Sequence, residues 1–82
     1  MSTRITAVMA AADQHQRACV ARAAAVSAFA EAGAAWSCVS IDKDDRVKTF
    51  ETLTKAELRA KEACRVVRET RETLVRVAEE AK

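Results

Sequence analysis

His15 and Cys19 are the first residues in this chain that could do chemistry, because four residues apart on a helix they face the same side. An imidazole and a thiolate so placed are half of a zinc site, and Cys38 or Cys64 could add sulfur. No second ligand pair with local spacing completes it, however. Cys19 also falls on an apolar stripe, where cysteine serves as a small hydrophobe. The three cysteines form no CxxC and no paired framework, so they are expected as free thiols in a reducing compartment. Neither a metal nor any other cofactor is expected.

Asp42, Asp44 and Asp45 offer alternating carboxylates of the kind that begin a calcium loop. The pattern then fails: Arg46 and Lys48 occupy later ligand positions, and Leu53 stands where the closing glutamate belongs. No serine, histidine and acid are spaced for nucleophilic catalysis, and a single glycine rules out a phosphate-cradling loop. The chain reads as a non-enzyme.

Arg59, Lys61, Arg65, Arg68, Arg71 and Arg76 raise the question of nucleic acid. Glu57, Glu62, Glu69 and Glu72 are interleaved with them, whereas phosphate binding calls for an uncompensated basic surface. A solvated helix laced with ion pairs accounts better for the pattern, including Glu57/Lys61 and Glu72/Arg76 in the favoured order.

Long helices must position these groups. The 82 residues contain no proline, one glycine and nineteen alanines, fourteen of them before Trp36. Residues 1–35 carry five charges, while residues 36–82 carry eleven basic and ten acidic side chains; the net charge is only +2. A first helix is expected over about residues 3–35, capped by Ser2 or Thr3. Its apolar stripe reads Ile5, Met9, Ala12, Gln16, Cys19, Ala23, Val26, Ala30, Gly33 in 4-3 spacing. Beyond Ala23 the remaining faces are apolar too, and Gly33 either ends the helix or lies within it.

A second helix is expected over about 54–81. Thr54 and Glu57 form a capping box, with Leu53 and Leu58 as its hydrophobic staple. Its stripe runs Ala56, Ala60, Ala63, Val67, Thr70, Leu74, Val77, Ala81. The connector, about residues 36–52, holds two β-prone runs, WSCVSI and RVKTF, around a polar DKDD. It reads either as a short β-hairpin or as an irregular tip.

The fold class is therefore all-α, a single domain over 1–82 shaped as a long helical hairpin. One hairpin contact line cannot cover a helix that is apolar on several faces. Pairing of two hairpins into a homodimeric, coiled-coil-like four-helix bundle is expected, with the first helices central and Cys19, Val26, Val67 and Leu74 buried. With no signal-peptide core and no convincing membrane span, the expected location is the cytoplasm.

By function the chain reads as an interaction module: an adaptor, anti-activator or inhibitor acting on a larger protein, of the kind that small bacterial and phage genes encode. A small nucleic-acid-binding or transcription-modulating dimer is the alternative. The expected contact site is the connector and its flanks: Trp36, Val39, Ile41, Asp42, Asp44, Asp45, Arg46 and Phe50. These combine apolar anchors with a charged rim. The competing site is the basic face of the second helix at Arg59, Arg65 and Arg68.

Overall fold

A computed structural model of the chain describes residues 2–38 and 43–81. Two helices account for nearly all of them: α1, Ser2–Ser37, and α2, Lys43–Glu80. They pack along their whole length as an antiparallel hairpin, a rod of 64 × 13 × 13 Å. There is no strand among the described residues.

Both helices are longer than the sequence suggests. Gly33 does not end α1; with Ala34 and Ala35 behind it the helix runs on through Trp36 to Ser37, whose hydroxyl donates to the Gly33 carbonyl at 3.1 Å. α2 begins at Lys43, not Thr54, so RVKTF is helical and no hairpin strand forms there. Asp44 and Asp45 stand in its first turn, where carboxylates meet the positive end of the helix dipole. Thr49, Thr52 and Thr54 satisfy their hydroxyls on the carbonyls of Asp45, Lys48 and Phe50, one turn back. β-branched residues that suggested a strand are thus accommodated inside a helix. Thr54 is no cap, and the expected capping box and staple do not form. Of the expected connector, only residues 39–42 fall outside the described residues, Val39, Ile41 and Asp42 among them.

The seam of α2 follows its sequence stripe. Ala56, Ala60 and Val67 are buried, and Ala63, Thr70, Leu74, Val77 and Ala81 are half-buried. The same 4-3 repeat continues upstream through Leu53 and Thr49.

The seam of α1 lies one residue off the expected stripe. Ala11, Ala18 and Ala32 are buried, with Val8, His15, Ala25 and Trp36 half-buried on the same line. The stripe read from the sequence faces outward instead: Ile5 is 59% exposed, Met9 66% and Val26 46%. Of the four residues expected to be buried, Val67 is, Cys19 and Leu74 are half-buried, and Val26 is exposed. The physical reason is that alanine suits close helix approach. Ala11, Ala18 and Ala32 allow α2 to come near at their turns, whereas Ile5, Met9 and Val26 there would hold it away.

Candidate interaction surfaces

Three groups of side chains could carry function. The first is the tip of the rod. Trp36, on the last turn of α1, meets Phe50 on α2 with ring centroids 5.5 Å apart and planes tilted by 58°. Such a tilted pair contributes about 0.5–1.5 kcal/mol beyond its buried area. Trp36 is half-buried, and Phe50 and Val47 remain half exposed to solvent. Asp44, Asp45 and Arg46 are exposed on the first turn of α2. Among the expected contact residues the fold thus brings Trp36, Phe50, Asp44, Asp45 and Arg46 to one end of the molecule. Val39, Ile41 and Asp42 lie outside the described residues.

The second group sits mid-rod, where α1 and α2 exchange a polar contact. His15 Nδ1 lies 3.0 Å from Thr70 Oγ1, and the Thr70 hydroxyl donates to the Val67 carbonyl at 3.0 Å. That direction makes Nδ1–H the donor to Thr70 and leaves Nε2 to accept from the Cys19 thiol, 3.7 Å away. The chain of bonds satisfies a histidine within an alanine seam. Among the described residues no group of three or more His, Cys, Asp and Glu comes together to hold a metal ion. All three cysteines are free thiols, with Cys38 and Cys64 exposed.

The third group is the charged face of α2. Arg65 lies between Glu62, three residues before it, and Glu69, four after, and pairs with both. Its hydrogen bond holds the Glu62 carboxyl below the usual carboxylate range. The same contact, with the charges of both glutamates, holds the guanidinium still more firmly in its charged form. Lys61 pairs with Glu57 at 3.2 Å, and on α1 Arg17 pairs with Asp13 at 3.1 Å. Arg65 is therefore engaged within its own helix, which weakens the case for a phosphate-binding face through Arg59, Arg65 and Arg68.

Sequence reasoning missed one feature of the surface. A shallow apolar groove lined by Val26, Phe29, Ala30, Gly33, Leu53 and Glu57 opens beside the outward stripe of α1. The signal that could have found it is Gly33 within an alanine run, since a glycine inside a helix opens the surface beside it. α1 is also long and apolar enough, by length and composition alone, to cross a membrane. Comparison with protein families, with curated proteins and with solved structures found no match.

Proposed function

We propose that this chain is a non-catalytic interaction protein, a homodimeric helical module that occupies a surface of a larger protein and so works as an adaptor, anti-activator or inhibitor in the cytoplasm. The observation that carries the reading is the tip: an aromatic pair, Trp36 and Phe50, set beside Asp44, Asp45 and Arg46 at the end of a rigid rod. Tryptophan is favoured at binding hot spots, and a charged rim around an apolar anchor suits a specific interface. The rod's described grooves are open and shallow, and the described side chains offer no nucleophile with an oriented base. Pairing of two hairpins would cover apolar surface that one hairpin leaves in water.

Affinity capture from the native host, read by mass spectrometry, tests the proposal against variants. Asp44→Lys with Asp45→Lys, and separately Trp36→Ala, should lose the partner that the natural chain recovers, with helicity unchanged by circular dichroism. Arg65→Glu with Arg68→Glu should still recover it. The opposite pattern moves the site to the face of α2. Steeply salt-dependent binding of the natural chain to DNA or RNA would replace the reading with a nucleic-acid one.

A further inference from the structure

α1 carries two apolar lines and uses one. The line that faces α2 buries Ala11, Ala18 and Ala32. The other runs from Ile5 to Gly33; it is exposed except at Cys19 and Gly33, which are half-buried, and it holds no charged residue along its length. A folded monomer of this mass exposes about 4,800 Å². This chain exposes 6371 Å². The excess, about 1,500 Å², is more than the roughly 800 Å² per partner that a standard protein interface removes. No large side chain is fully buried among the described residues.

The side chains along that line are graded in size. Ile5 and Met9 project near one end, and Ala30 and Gly33, with Val26, Phe29, Leu53 and Glu57, line the shallow groove near the other. Laid against its own copy in the opposite direction about Cys19, the line matches itself: Ile5 meets Gly33, Met9 meets Ala30, Ala12 meets Val26. Large faces small in each of these layers, and a two-fold axis makes every layer occur twice.

Gly33 supplies a separate indication. It lies within a helix, has no positive φ, and a β-carbon added there would meet nothing within 4 Å. Glycine is a poorer helix former than alanine, and nothing inside the hairpin offsets that. Close approach from outside gives it a purpose.

We infer that two copies of this chain pair antiparallel through the outward line of α1, with the two-fold axis at Cys19, so that Ile5 and Met9 of each copy fill the groove over Ala30 and Gly33 of the other. The inference rests on the homodimer proposed above and adds its face, direction and register.

Full-length chains test it by sedimentation and by cross-linking. Ala23→Glu buries an unpaired charge in the pair and should raise the dimer dissociation constant by about a hundredfold or more. Ala24→Glu, exposed and away from both lines, should leave it unchanged. Gly33→Leu should weaken pairing, although leucine is the better helix former and its β-carbon meets nothing within 4 Å in the hairpin. In a background with Cys19, Cys38 and Cys64 replaced by serine, a Met9→Cys chain should form disulfides with an Ala30→Cys chain and hardly with itself. In this register two copies of residue 9 lie about 30 Å apart.

A chain that stays monomeric at every concentration overturns both this inference and the homodimer. A dimer that survives Ala23→Glu, or in which Met9→Cys links to itself, leaves the homodimer standing and overturns this face and register. A chain that floats with phosphatidylcholine vesicles instead of pairing assigns the outward line to lipid and overturns the inference as well. The cross-linking arm uses exposed positions that tolerate cysteine, so it reads the geometry even if Ala23→Glu fails to fold.

Discussion

His15 shows how a residue chosen for its chemistry can have a structural role. Its spacing to Cys19 is that of a ligand pair, and the two do meet, at 3.7 Å. The ring is directed by Thr70 on the other helix, however, at 3.0 Å. A half-buried imidazole in an alanine seam needs partners for both nitrogens, and Thr70 and Cys19 supply one each. The contact fixes which turn of α1 meets which turn of α2, a task alanine performs poorly because its layers are interchangeable. His15→Ala and Thr70→Ala should each lower stability by about 1 kcal/mol in chemical denaturation. The double variant should lose less than the sum, because the two act on one bond. Additive losses would mean that the bond carries no net stability. The sequence made the His15–Cys19 proximity legible. Thr70 was legible only as a seam residue, since nothing local ties it to a histidine 55 positions away.

The two helices differ in how clearly they can be read. In α2, Glu57, Lys61, Glu62, Arg65 and Glu69 mark the solvent side, and the seam is what remains; Ala56, Ala60 and Val67 lie where the spacing puts them. In α1 alanine occupies every face, so hydrophobic period alone cannot choose between adjacent lines. The bulkier line, with Ile5, Met9 and Val26, has the stronger apolar signal and is the one left outside. The start of α2 misled for a different reason. Thr54 and Glu57 match a capping box, but a cap forms only where a helix begins, and the first-turn acids Asp44 and Asp45 had already begun it. Exposed and internal, with its hydroxyl 2.9 Å from the Phe50 carbonyl, Thr54 now contributes less to the helix than alanine would. Thr54→Ala should therefore raise thermal stability by a few tenths of a kcal/mol. A true cap would lose about 1 kcal/mol on the same change, so the sign of the shift decides where α2 starts.

At the scale of the molecule the expected site divided unevenly. Trp36, Phe50, Asp44, Asp45 and Arg46 gather at one end because both helices reach further toward the tip than their sequences suggested. The hairpin architecture itself was legible from the two long periodic segments and the polar DKDD between them. Its slenderness was less so: a radius of gyration of 18.4 Å compares with about 12 Å for a compact domain of this length. Hairpin topology places Thr3 and Ala81 together at one end and Trp36, the only tryptophan, near the other. The spacing from Ser2 to Trp36 along α1 is about 50 Å, a distance over which indole emission barely reaches an acceptor dye on the N-terminus of its own chain. Opposed about Cys19, two chains bring Ser2 of one beside Trp36 of the other. Donor quenching that appears as labelled chain associates with unlabelled chain, and fades on dilution, would report that opposition optically without a single substitution, whereas a side-by-side pair would stay bright.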